Sequence, residues 1–291
     1  MAAIARNSRS HRVEEAGPAR WAALFGASLL TVSLFVAPAS AASPTPEEAA
    51  AAADSAWPGL VSDVFDDRPM QDGTGVVSLE APMRAADPAV VPVKLTFAPE
   101  KKIRKVTLVI DENPSPVAAT FTIGAASGLT EIETRVRVNA YTDIHAVAEA
   151  EDGTLYMVKR FVKAAGGCAA PAAKDAAAAA KSMGEMRLKR FAAEAGANGA
   201  RDTAQLMIRH PNNSGLQKDQ VTLLYIPAHF VSDLTVTRGA DLVFAMSGGI
   251  SISEDPNFRF DYDPKGDEPF TAKAVDTEGK VFEKTFAGSD S

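Results

Sequence analysis

Apolar and polar residues alternate with a period of two along most of this chain, and that pattern commits it to β-structure. In VVPVKLTFAP (90–99), Val91, Val93, Leu95 and Phe97 share one face, while Pro92, Lys94 and Thr96 share the other. KVTLVID (105–111) places Val106, Leu108 and Ile110 together, and ETRVRVNAYTDIHAVAEA (133–150) continues through Thr134, Val136 and Val138. Asp152-Gly153 then makes a hairpin turn into TLYMVKRFV. DENPSP and GAASG interrupt the run as turns, at the spacing of a β-sandwich. Pro92 predicts an edge position for its strand, because proline donates no ladder hydrogen bond. WPGLVSDVF (57–65) reads as a short helix ahead of the first strands.

The alternation stops at Ala164. Residues 164–184 are mostly small, with no large apolar side chain before Met183, and AAKDAAAAAK has high helix propensity. Strands resume with TAQLMIRHP and continue through VTLLYIP, DLTVTRG, DLVFAMSGG, NFRFDY and FTAKAVDTEGKVFEKTF. Aligning Gly153 with Gly279 superimposes AVAEAEDGTLYMV on AKAVDTEGKVFEK, with Ala146 on Ala272, Ala148 on Ala274, Leu155 on Val281 and Tyr156 on Phe282. The expected organisation is all-β: two immunoglobulin-like β-sandwich domains, 57–163 and 185–288, joined by a flexible Ala/Gly-rich linker, 164–184.

The N-terminus reads as an export signal. Arg6, Arg9, Arg12 and Arg20 precede an apolar run at 21–37, and Ala39-Ser40-Ala41 offers the small residues a signal peptidase accepts. Cleavage after Ala41 removes four arginines and two glutamates, moving the formal charge from −7 to −9. Residues 42–56 then form a small, polar, disordered leader. The expectation is an acidic periplasmic protein with no membrane attachment after cleavage. It has no electrostatic footprint for nucleic acid.

Cys168 is the chain's single cysteine. In an oxidising compartment it has no internal disulfide partner, which leaves an intermolecular bond or a free reactive thiol. Most lone cysteines are buried and inert. Here Gly166, Gly167 and flanking alanines supply no large neighbours, so the sequence predicts an exposed, mobile thiol with the two glycines as hinge. Lys163 and Lys174 stand close enough in sequence to favour the thiolate.

Nothing else has the composition of a catalyst. His145, His210 and His229 are scattered, lack metal-ligand spacing, and read as structural. Asp255, Asp261 and Asp263 cluster without the spacing of a calcium loop and read as a solvated segment. Asn212 fits a glycosylation sequon only formally. The expectations are no catalytic residue, no metal, no cofactor and no enzyme.

Several stretches carry a resemblance. VVPVKLTF, VTLVIDENPSPVAATF and RVRVNAYTDIHAVAEAEDGTLYMVKRFVKAAGGC resemble the SoxY subunit of bacterial sulfur-oxidation systems. QLMIRHPNNSGLQKD, SISEDPNFRFDY and FTAKAVDTEGKVF resemble its partner SoxZ. The joined arrangement is similar to the SoxYZ-like carriers associated with quinoprotein dehydrogenases. The resemblance implies two sandwiches packed as an internal heterodimer, with Cys168 holding a sulfur-containing intermediate covalently and presenting it to partner enzymes. It implies as partners a PQQ-dependent alcohol dehydrogenase, a c-type cytochrome or sulfur-oxidation enzymes. The chain departs from SoxY in one respect: a whole second domain follows Cys168, so the arm is tethered at both ends. The rival reading is a non-covalent adapter that docks on a periplasmic dehydrogenase or its cytochrome.

Overall fold

The computed structural model describes residues 56–171, 176–193, 201–264 and 266–288. The proposed signal sequence, nearly all of the leader and Lys174 lie outside the described residues. Helix α1 (Trp57–Phe65) precedes strands β1 (Met70–Asp72), β2 (Val77–Glu80), β3 (Val91–Phe97), β4 (Ile103–Ile110), β5 (Val117–Ile123), β6 (Glu131–Val136), β7 (Thr142–Ala150) and β8 (Leu155–Val162). Helix α2 (Ala176–Ser182) separates these from β9 (Met186–Phe191), β10 (Asp202–Ile208), β11 (Val231–Arg238), β12 (Asp241–Gly248), β13 (Asn257–Tyr262), β14 (Phe270–Asp276) and β15 (Val281–Phe286). Among the described residues, no helix is long and apolar enough to cross a membrane.

The strands form two sheets, in the orders β1-β8-β7-β4-β5-β12-β11-β14-β15 and β2-β3-β6-β13-β10-β9. Each order reads the same from either end once β1 is set aside. β8-β7-β4-β5 meets β12-β11-β14-β15, and β2-β3-β6 meets β13-β10-β9. Strands β2–β8 and β9–β15 are therefore two copies of one seven-strand sandwich, joined about a pseudo-two-fold seam. The Gly153–Gly279 repeat belongs to this duplication: both glycines close the outer hairpin of their copy with φ near +80° (84° and 80°). The copies differ where β1 covers β8, with Met70 opposite Leu155. Leu155 is buried there, whereas Val281 on the uncovered β15 is exposed.

At the seam β12 pairs antiparallel with β5, placing Phe244 opposite Ile123, and β13 pairs with β6, placing Phe260 opposite Ile132. Both sheets thus run through both halves. Phe121 of the first half meets Phe244 and Phe258 of the second edge-on, each at 6.3 Å between ring centroids. Burying each such ring stabilises the join by about 1.5–3 kcal/mol. Asp261 adds a polar clasp, accepting from Thr130 N and Glu131 N at 2.8 Å, from Thr130 Oγ1 at 2.6 Å, and from Arg201.

Three local expectations are corrected. Asp261 is not a solvated carboxylate; it lies in β13 and is buried. Asp255 is likewise engaged, with the Arg209 side chain and the His210 amide. β3 is an interior strand, but β2 reaches only as far as Lys94, so Pro92 still faces an unpaired stretch. VTLLYIP is not a strand. It forms a tight loop in which Asp219 Oδ1 accepts from the amides of Val221 and Thr222, and Val221, Leu223, Leu224 and Tyr225 are exposed to solvent.

Candidate functional site

After β8 the chain crosses the seam. Lys163 bonds to Met83 and Ala85 through its backbone. Gly166 N then donates to Asn139 O at 2.8 Å, and Gly167 N to Val138 O at 3.1 Å. Ala169 N closes a turn on Gly166 O at 3.1 Å, which sets Cys168 at the third position of a β-turn. Gly166 takes φ +77° with open space around it. Gly167 is required for another reason: a Cβ there would overlap the carbonyl oxygens of Pro88 and Val138.

Side chains hold three carbonyls of this arm in place. Arg137 Nη1 donates to Gly167 O at 3.3 Å, Ser214 Oγ donates to Cys168 O, and Gln217 Nε2 donates to Ala170 O at 2.9 Å. Ser214 and Gln217 belong to the second half and fix each other, Ser214 N donating to Gln217 Oε1 at 3.0 Å. Arg137 Nη2 reaches the same segment, donating to Asn212 O at 3.3 Å. The arm is docked, and Cys168 is fully buried. This corrects the expectation of an exposed, mobile thiol: its neighbours in sequence are bare, but residues of both halves hold the arm down. Among the described residues, Cys168 belongs to neither hydrophobic cluster.

The electrostatics differ from expectation as well. Burial pushes the Cys168 thiol above its ordinary value, and the Arg137 guanidinium pulls it part of the way back. The cation acting on the thiol is thus Arg137 rather than Lys163. Burial lowers Arg137 from its ordinary value, opposed first by Cys168 and then by Glu254 and Asp87. Its Nε finds no hydrogen-bond partner. Arg135 and Arg137 alternate in sequence with Thr134, Val136 and Val138. However, β6 ends at Val136, and the irregular segment that follows carries Arg137 inwards.

The histidines divide. His145 stacks on Trp57 at 3.7 Å and lies 2.9 Å from Asp111 through Nδ1, a buried structural arrangement. His210 and His229 converge on Asp276, with donor atoms all within 4.8 Å of one another, a geometry that could surround a cation. The hydrogen bonds favour another use. His210 Nδ1 accepts from Asn212 N at 3.1 Å, so the neutral ring carries its proton on Nε2, the atom a metal would need bare. Nε2 lies 3.5 Å from Asp276 Oδ2, which also binds His229 Nε2 at 2.8 Å. Burial, then the neighbouring His229, hold His210 below the usual imidazole range. Burial would raise Asp276, but His229 and the amides of Lys280 and Glu278 outweigh it and keep the carboxyl low. The trio anchors the segment that clamps the arm: Asn212 bonds to the His210 ring, and Asn213 pairs with His229 through both backbone groups.

Fold and site together define a duplicated, two-sandwich protein built around one thiol docked at its seam. Residues 61–168 match the family described as "Sulfur oxidation protein SoxY", ending on Cys168, and residues 190–287 match "Sulphur oxidation protein SoxZ". The chain belongs to the SoxYZ family of sulfur-oxidation carriers, with both components fused in one polypeptide. Among solved structures it is similar to the sulfur carrier protein SoxY from Chlorobium limicola f thiosulfatophilum. The identity is 25%, the match covers 40% of this chain and 98% of that one, and the TM-score is 0.34. A β-glycosidase from Bacteroides vulgatus matches at 10% identity over 73% of this chain and 24% of its own, with a TM-score of 0.21. No curated protein matches the chain.

Proposed function

We propose that this protein is a periplasmic carrier that holds a sulfur-containing intermediate covalently on Cys168 and presents it to partner enzymes, in association with a quinoprotein alcohol dehydrogenase system. The carrying observation is the position of Gly166-Gly167-Cys168: Cys168 ends the SoxY-matching half, and its backbone carbonyl is held by Ser214 of the SoxZ-matching half. In this reading the protein supplies the attachment point and the partners supply the chemistry. Presentation requires the docked arm to lift. The five hydrogen bonds that tie it down contribute about 0.5–1.5 kcal/mol each, so the lifted state is a minor one that binding of a partner must favour. Gly166, at φ +77° with open space around it, is the hinge at the base of the arm in this reading.

Intact-mass spectrometry of protein purified from its native periplasm tests this. An adduct on Cys168 is expected, and Cys168→Ser is expected to fold normally and lose pathway activity. Free thiol under every growth condition, with a silent Cys168→Ser variant, would overturn it.

One observation favours the second reading, a non-covalent adapter for a dehydrogenase or its cytochrome. Val221, Leu223, Leu224 and Tyr225 stand 63–91% exposed at the tip of the loop braced by Asp219. In that case Cys168→Ser is silent, and the complex with the dehydrogenase is lost on polar substitution of Leu223 and Leu224.

A further inference from the structure

Among the described residues Arg137 is one of the largest fully buried side chains, at 2% exposure, yet its side-chain hydrogen bonds there go only to two neutral carbonyl oxygens, those of Gly167 and Asn212. Its third nitrogen, Nε, is sealed from solvent and has no hydrogen-bond partner among the described residues. A guanidinium stays ionised in proteins, and leaving it buried without a counter-charge is strongly destabilising. Such a group persists where an anion completes it. Glu254 and Asp87 act on it through space, but neither is hydrogen-bonded to it, and the Cys168 sulfur is the first among the groups that favour its charge. The bond to Gly167 O fixes the guanidinium against the residue that immediately precedes the thiol.

We propose that Arg137 and Cys168 together form an anion-holding site, in which the guanidinium is the counter-charge for a negatively charged group carried on the sulfur. The site selects by charge: adducts ending in an oxyanion or a sulfur anion dock at the seam, while neutral or cationic adducts of the same length do not gain that contact. Arg137 is a positioning residue for the carried group. The inference rests on the carrier reading, which the native mass spectrum tests separately.

Charge-matched labels on the full-length protein test it. The Cys168 thiolate attacks the sulfenyl sulfur of a methanethiosulfonate reagent. A new disulfide forms, the reagent's S–S bond breaks, and methanesulfinate leaves with the electron pair. One sample carries a 2-sulfonatoethyl group and the other a 2-(trimethylammonio)ethyl group, with complete labelling verified by intact mass. In urea denaturation the sulfonate form is expected to have a folding equilibrium constant about tenfold above that of the ammonium form, the difference between a charge-assisted and a neutral contact. The gap should close in Arg137→Gln and persist in Arg137→Lys. Equal stability of the two wild-type adducts, or the reverse order, overturns the proposal with no variant needed. So does a gap that survives unchanged in a folded Arg137→Gln protein. A wild-type gap that meets expectation sustains the proposal even if Arg137→Gln fails to fold.

Discussion

The Ser214 hydroxyl of the second half donates to the carbonyl of Cys168 at the end of the first, across 46 positions of sequence. With Gln217 on Ala170, it makes the SoxZ-matching half the latch of the arm. Ser214→Ala and Gln217→Ala are each expected to raise the rate at which a thiol reagent labels Cys168 about fivefold, since each removes roughly 1 kcal/mol of holding energy. The rates are read with dithionitrobenzoate at neutral pH, with near-wild-type melting as the control. Unchanged labelling would mean that reagents reach the sulfur without the latch opening.

Gly167→Ala tests the other side of the arm. A methyl group there collides with two fixed backbone carbonyls, so the docked turn cannot form as it stands. We expect faster labelling of Cys168 together with a loss of stability of about 1–3 kcal/mol. Gly166→Ala, in open space but at φ +77°, should cost only about 1–2 kcal/mol of backbone strain.

Acid should weaken the clamp. The folded pKa of His210 lies below the ordinary imidazole value of about 6.5. As pH falls through that value the unfolded chain takes up a proton that the folded protein refuses. The stability contribution of the neutral ring is complete above about pH 6.5 and is lost as pH falls towards the folded pKa. Protonation also turns Nδ1 into a donor facing Asn212 N, breaking the bond that shapes the clamp. Urea melts between pH 7.5 and 5 should show this loss, and His210→Gln should flatten it. Labelling of Cys168 thiolate, corrected for ionisation, should quicken over the same range.

Asp261→Ala should unfasten the seam. It strips the acceptor from two amides, a hydroxyl and Arg201 at the junction of the halves, so a loss of about 2–4 kcal/mol is expected by calorimetry or denaturant. Asp255→Ala, on a more exposed pair with Arg209, should cost under about 1 kcal/mol.

What the sequence made legible follows from the range of the forces involved. Alternation depends on neighbours two positions apart, so Val91, Val93, Leu95 and Phe97 could be assigned to the core, and all four are buried. The Gly153–Gly279 repeat identified the duplication because a hairpin turn is a local demand on the backbone. Edge pairing is not local. The alternation of β5 says which face is wet but not that β12 covers its edge, so two sandwiches were expected and their shared sheets were not. Cys168 was misjudged for the same reason. The side chains that hold its segment down are distant in sequence, Arg137 31 positions earlier and Ser214 46 positions later, while the residues beside it are glycine and alanine. One signal was available for Arg137: a charged residue in RVRVN just where a strand must turn.

The continuous ladder from β5 to β12 means that each half alone would present long unpaired edges, the templates on which chains stick to one another. Encoding both halves in one polypeptide delivers them in equal number, at a mutual effective concentration of about the millimolar order. The adhesive strands find their intended mates before they can meet a stranger's, and the protein cannot be diluted apart.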